Sequence, residues 1–156
     1  MNHLSADGKA TTTKTMFSRE TAVSIQIQAN PSVIWQLLTN ASDFPRWNST
    51  VVSIEGDIKQ GQTINLKSTL DEKRIFKLTI KDVDPERRLV WGDRQGNRVY
   101  TLTKGEGDTD TFSMVEKIGG LMFPMYGSFI PPFDEAFEQF AADLKKESET
   151  IQNAPD

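Results

Sequence analysis

The sequence is 156 residues long, 37% hydrophobic and free of cysteine, with a formal net charge of −4 at pH 7. This charge argues against a general binder of nucleic acid or anionic membranes, since both require an excess of Lys and Arg. Without cysteine, and with a single histidine, His3, in a polar leader, we expect no disulfide, no Ser-His-Asp triad, no metal site and no cofactor.

The N-terminal segment reads MNHLSADGKATTTKTMFS and lacks the apolar run that a signal peptide needs. We predict a flexible tail over residues 1–18 and a single domain over residues 19–152. No segment of the sequence approaches the roughly 18 consecutive apolar residues that cross a membrane. The sequence therefore predicts a cytoplasmic protein without stable membrane insertion.

The predicted domain begins with a strand and two short helices. Apolar residues alternate with polar ones in TAVSIQIQ, which is the period of a half-buried strand. Asn30 and Pro31 suit the N-cap and first position of a helix in NPSVIWQLLTN. The segment SDFPRWN predicts a second short helix, with Ser42 as its cap and Pro45 in its first turn.

Six strands and a long helix complete the predicted domain. The strands are TVVSIEG, QTINLKSTL, RIFKLTIKDV, RLVWGDR, NRVYTLTK and DTFSMVEKI. Short turns rich in Gly, Asp, Asn and Pro separate most of them, so successive strands should run antiparallel. The closing segment PFDEAFEQFAADLKKESETIQ has Phe133, Phe137, Phe140 and Leu144 on one helical face. A sheet must bury its apolar face, and this helix is the element available to cover it.

One set of residues occurs in a characteristic order and spacing: the strand end IQIQAN, Pro31, Val33, Trp35, Leu38, Asp43, Phe44, Trp47, Asn48, Gly56 and the helix Phe137–Glu149. This set resembles the START-like, or SRPBCC, superfamily, and within it the polyketide cyclase/dehydrase and lipid-transport family. The resemblance covers roughly residues 20–150.

The resemblance implies an α+β helix-grip fold of the birch-pollen-allergen type. In this fold a seven-stranded curved antiparallel sheet surrounds a long C-terminal helix, and two short helices lie between strands 1 and 2. It also implies a hydrophobic cavity, since members bind lipids, polyketides, steroids or quinones and some catalyse cyclisation or dehydration. In that fold Phe44 and Trp47 would form a structural plug at one end of the interior, or additionally a wall of the pocket.

Inward-facing strand positions, the charge-free segment 119–132 and the helix stripe provide the candidate ligand-binding residues. They are Trp47, Leu66, Phe76, Leu78, Trp91, Arg98, Tyr100, Phe112, Met114, Glu116, Phe123, Met125, Phe129, Phe133 and Phe137. The alternative for each is that it fills the core. Segment 119–132 is predicted to be a ligand-gating lid, fixed packing or half of a dimer interface.

Polar residues in phase with this inner face are the candidates for chemistry. Asp93 and Arg98 are predicted to pair at the hairpin end RQGN. Asp93, Tyr100 and Glu116 are the catalytic candidates, because a carboxylate in an apolar pocket can act as a general acid or base.

Three functions remain open at this stage. The first is binding or transport of a hydrophobic small molecule by a monomer or homodimer that binds no nucleic acid. The second is a cofactor-free cyclase or dehydratase that uses the pocket carboxylates. The third is a protein-interaction module related to the Hsp90 ATPase activator.

Overall fold

The computed structural model describes residues 5–155, within which eight strands form one antiparallel sheet. The strands are β1 (Thr11–Lys14), β2 (Ser18–Ile27), β3 (Val51–Glu55), β4 (Thr63–Ser68), β5 (Asp71–Asp84), β6 (Arg88–Gly92), β7 (Gly96–Lys104) and β8 (Asp110–Gly119). Their order across the sheet is β1-β2-β8-β7-β6-β5-β4-β3. The seven strands expected from alternation correspond to β2–β8.

Four α-helices accompany the sheet in the described residues: α1 (Pro31–Thr39), α2 (Phe44–Trp47), α3 (Phe123–Tyr126) and α4 (Asp134–Gln152). Single 3₁₀ turns precede α2, at Ala41–Asp43, and follow α3, at Gly127–Phe129. None of the helices in residues 5–155 combines the length and apolar character needed to cross a membrane.

Helix α4 packs on the inner face of the sheet and also touches α1 and α2. Its buried side includes Phe137, Phe140, Ala141 and Leu144, which belong to the main hydrophobic core. The predicted helix-grip architecture, with short helices between β2 and β3, is therefore confirmed.

Strand β1 is the main difference from the predicted fold. It pairs with β2 from Thr11 opposite Ala22 to Lys14 opposite Arg19, inside the segment predicted to be a flexible tail. Polar contacts hold it against α4, since the Thr12 hydroxyl donates to Asp134 (2.6 Å). The sequence TTTK has no apolar alternation to reveal a strand, but β-branched threonines favour extended backbone. Residues 1–4, which include His3, lie outside the described residues.

The aromatic pair before β3 is buried at one end of the sheet. The Phe44 and Trp47 ring centroids lie 4.9 Å apart, and the Trp47 centroid lies 6.0 Å from that of Phe140. These positions match the plug interpretation. The predicted Ser42 cap is wrong: a 3₁₀ turn precedes α2, and the Ser42 hydroxyl instead donates to Asn40 Oδ1 (3.4 Å).

Candidate functional site

A cavity of about 200 Å³ lies between the inner face of the sheet and α4. Strands β3–β8 contribute its walls, and α4 contributes Ala136, Phe137 and Phe140. Most of the predicted ligand-binding residues line it: Leu66, Phe76, Leu78, Trp91, Arg98, Tyr100, Met114, Glu116, Phe129, Phe133 and Phe137. The catalytic candidate Asp93 also lies on its wall.

Four predicted ligand-binding residues do not line the cavity. Trp47 and Phe112 pack against the ring of Phe140, which itself faces the cavity. Phe123 is buried against Tyr126, with ring centroids 5.5 Å apart, and Met125 is exposed to solvent. Alternation identifies which face a residue occupies, but it does not distinguish the cavity wall from the solid core behind it.

Several lining residues were not among the predicted ligand-binding set. They are Thr50, Val51, Ser68, Leu70, Asp71, Arg74, Gly92, Gln95, Gly96, Ile118, Ile130, Pro131, Ala136 and Phe140. Arg74 precedes Phe76 by two and Ile118 follows Glu116 by two, so extending the strand alternation would have found both. The turn residues carry no comparable signal.

The exposed lining residues mark the mouth of the cavity. They lie at the β4–β5 turn and the start of β5 that follows it, in the β6–β7 turn and in the chain before α4, and include Asp71, Gln95 and Phe129. The Arg74 guanidinium lies over the Phe76 ring, 4.5 Å from its centroid. These two turns and Phe129 therefore surround the mouth of the cavity.

Arg19 of β2 fixes the chain beside this mouth. Its Nη1 and Nη2 donate to the carbonyl oxygens of Ile130 (3.1 Å) and Pro131 (2.8 Å). The guanidinium also lies 4.6 Å from the centroid of the Phe133 ring. Burial lowers the pKa of Arg19, although the charges of Glu116 and Asp134 oppose this. One end of segment 119–132 is thus tied to the sheet.

The rest of that segment is only partly packed. Phe123 is buried, whereas Leu121, Met122, Met125 and Phe129 expose most of their side-chain surface. Segment 119–132 therefore does not pack on the core along its whole length.

An ion pair lies in the cavity wall between neighbouring strands. Arg98 of β7 and Glu116 of β8 are cross-strand partners, and Arg98 Nε donates to Glu116 Oε1 (2.8 Å). The two side chains are only 16% and 17% exposed. Burial lowers the pKa of Arg98, but the charge of Glu116, assisted by Tyr100, outweighs this and raises it overall.

The predicted pairing of Asp93 with Arg98 is wrong. The β6–β7 register places Arg98 opposite Trp91, so Asp93 lies beyond it at the turn. There Asp93 Oδ1 accepts hydrogen bonds from the backbone N–H groups of Gln95 (2.8 Å) and Gly96 (3.1 Å). Asp93 therefore stabilises the hairpin end rather than the arginine.

Tyr100 is a cavity-lining residue with a buried hydroxyl. Its side chain is 1% exposed and packs between Trp91 and Phe140, with ring centroids 4.9 and 5.7 Å away. Tyr100 lines the cavity, and its hydroxyl, which lies near the Arg98 guanidinium, makes no hydrogen bond of good geometry in residues 5–155. Burial raises the pKa of Tyr100 to about 12, although the Arg98 charge opposes the increase. At neutral pH the hydroxyl is a protonated donor.

This pKa predicts how stability changes in alkaline solution. The unfolded chain should release the Tyr100 proton near the ordinary pKa of 10.0, whereas the folded chain holds it to about 12. As the pH rises between these values the unfolded state binds fewer protons, so wild-type stability should fall relative to Tyr100→Phe. Urea unfolding at pH 9, 10 and 11 measures this difference. Parallel stability curves for the two proteins would contradict it.

The comparisons with known proteins agree with this geometry. The profile of the family described as polyketide cyclase/dehydrase and lipid transport matches residues 18–149. A comparison with curated protein sequences finds no match.

Solved structures with the same fold come from several bacteria. A conserved protein of unknown function from Enterococcus faecalis is 16% identical, with a TM-score of 0.67 over 96% of this chain and 82% of that one. A START superfamily protein from Mycobacterium smegmatis is 11% identical, with a TM-score of 0.61 over 85% and 98%. A protein from Nitrosomonas europaea is 12% identical, with a TM-score of 0.68 over 91% and 100%. At these identities the likeness concerns the fold alone.

Proposed function

This chain belongs to the polyketide cyclase/dehydrase and lipid transport family of the START-like, or SRPBCC, superfamily, and on that basis we propose that it binds or transports a hydrophobic small molecule. The binding site is the cavity between the sheet and α4. The molecule enters between the β4–β5 turn, the β6–β7 turn and Phe129.

The observation that carries this proposal is an apolar cavity. A chain of this length is long enough to fill its core with its own side chains, so the cavity is not a consequence of small size. Its volume is about 200 Å³, with Trp91, Met114 and Phe137 among its walls. An apolar cavity of about 150 Å³ is enough to bind benzene, whereas drug-sized ligands occupy about 300–1,000 Å³. A molecule with one ring, or a short acyl chain, therefore fits without rearrangement.

Native mass spectrometry of the protein purified from its own host tests this function. The expected spectrum contains a protein peak with an added small mass that disappears when the sample is denatured. Extraction with organic solvent should release the same mass for identification. The proposal would be wrong if the protein carried no added mass and bound none of a panel of small apolar compounds.

An enzymatic role is the second candidate, because Tyr100 and Glu116 line the same cavity. Tyr100 could donate a proton and Glu116 accept one without a cofactor. Protonation of Glu116 would leave the largely buried Arg98 charge without its partner, so we rank this role below binding. Once the ligand is identified, Glu116→Gln should abolish any turnover without unfolding the protein, and retained turnover would exclude this role for Glu116.

The cavity also bears on the protein-interaction alternative. A module related to the Hsp90 ATPase activator needs no internal void, so an open apolar cavity favours a small ligand over this alternative.

A further inference from the structure

We propose that the ligand is a small neutral compound with a carbonyl oxygen, and that Tyr100 and Arg98 donate hydrogen bonds to this oxygen. The inference rests on the proposed function and assigns the chemical class of the ligand. It arises from a buried polar group without a partner, a guanidinium with unused donors and the net charge of the cluster that they form.

The first observation is the Tyr100 hydroxyl. This hydroxyl belongs to a cavity-lining residue, is itself buried and makes no hydrogen bond of good geometry in the described residues. A buried hydroxyl without a partner is unfavourable, so a ligand that accepts its hydrogen bond regains the energy lost on desolvation. Burial of the Tyr100 hydroxyl therefore favours a ligand with a hydrogen-bond acceptor next to it.

The second observation is Arg98, two residues earlier on β7 and therefore on the same face of the sheet. Its Nε is engaged by Glu116. In residues 5–155 the hydrogen bond from Nε is the one of good geometry that the Arg98 side chain makes, so Nη1 and Nη2 remain available near Tyr100, and the side chain lines the cavity. Two neighbouring donors suit an oxygen with two lone pairs and no proton, which describes a carbonyl oxygen.

The third observation is the charge of this cluster. The Arg98 charge is already compensated by Glu116 at 2.8 Å, and both side chains are mostly buried. A carboxylate ligand would bring a second negative charge next to Glu116 and leave the buried site with a net charge, which is costly. A carbonyl group accepts the same hydrogen bonds without this cost. The cluster therefore favours a neutral ligand over an anionic one.

Three probes with one benzene ring separate these properties: acetophenone, ethylbenzene and benzoate. Each is small enough for a cavity of about 200 Å³. In NMR titrations of the full chain at pH 7.5, acetophenone should bind about tenfold or more tighter than ethylbenzene, which lacks the oxygen. Benzoate should bind more weakly than acetophenone.

Two variants test the roles of the side chains. Tyr100→Phe removes only the hydroxyl, so it should reduce the preference for acetophenone over ethylbenzene. Glu116→Gln removes the compensating charge and should shift the preference from acetophenone towards benzoate. Glu20→Gln is the matched control, because Glu20 lies one residue along β2 from the partner of Glu116 and is exposed, and it should change neither preference.

The outcomes distinguish this inference from the function on which it rests. Equal binding of acetophenone and ethylbenzene to the wild-type chain would overturn the carbonyl assignment while leaving a binding cavity in place. If benzoate bound most tightly of the three probes, the inference that the ligand is neutral would be wrong. If none of the three probes bound, the failure would lie with the proposed function itself, and the carbonyl assignment would fall with it.

Discussion

Replacement of Trp47 by alanine should lower the free energy of unfolding by about 3–5 kcal/mol and leave the affinity for a cavity ligand nearly unchanged. Trp47 is 7% exposed and packs against Phe44 and Phe140. Its indole N–H has no hydrogen-bond partner in the described residues, so the loss is one of packing. Because Trp47 does not line the cavity, stability and binding should separate in this variant.

Trp35→Ala is the matched control for this experiment. Trp35 lies in α1 and packs only partly against the core, so its replacement should cost clearly less stability. Chemical denaturation and probe titration on both variants give the comparison. A large loss of ligand affinity with unchanged stability in Trp47→Ala would mean that Trp47 forms a pocket wall and not a plug.

Replacement of Ala136 by phenylalanine should lower the affinity for any cavity ligand by about a hundredfold or more. Ala136 lies on the first turns of α4 and lines the cavity. An apolar cavity of about 150 Å³ holds a benzene ring, so a phenyl ring at this position would occupy much of the 200 Å³ that a ligand could use. The added ring should cost at most about 1–3 kcal/mol of stability through overpacking.

Ala142→Phe provides the control on the same helix. Ala142 is exposed, so the same substitution there should change neither affinity nor the unfolding midpoint appreciably. Titration with ethylbenzene and thermal unfolding of both variants provide the two readouts. Unchanged affinity in folded Ala136→Phe would place the ligand outside the cavity.

The sheet and its covering helix were predictable because burial on one side leaves a periodic pattern. The alternation at Phe76 and Leu78 defines β5, and the spacing of Phe137 and Phe140 defines the buried side of α4. Strand β1 was not predictable in this way. Its edge position is held by backbone pairing and by polar contacts such as that of Thr12 with Asp134, which leave no hydrophobic period.

The sequence predicted which side of the sheet the site residues occupy, but not which side chains pair with each other. Arg98 and Glu116 were both assigned to the inner face, yet their pairing depends on the β7–β8 register, which the sequence of the turn between these strands does not determine. Asp93 was predicted to pair with Arg98 because the two flank one hairpin. In the turn, however, the Asp93 carboxylate accepts hydrogen bonds from backbone N–H groups instead. Likewise, only the packing distinguishes Tyr100, on the cavity wall, from Phe112 behind it.

The central claim is that a small apolar molecule binds inside the cavity, and the methionine methyl groups test it most directly. Met114 is fully buried on the cavity wall, whereas Met16, Met122 and Met125 are all more than half exposed. In a methyl NMR titration of ¹³C-methionine-labelled protein with ethylbenzene, the Met114 signal should shift and show intermolecular contacts with the aromatic ring. The exposed methyl signals should stay in place. Shifts confined to Met122 and Met125, with Met114 unchanged, would mean that apolar molecules bind the exposed segment and would contradict binding in the cavity.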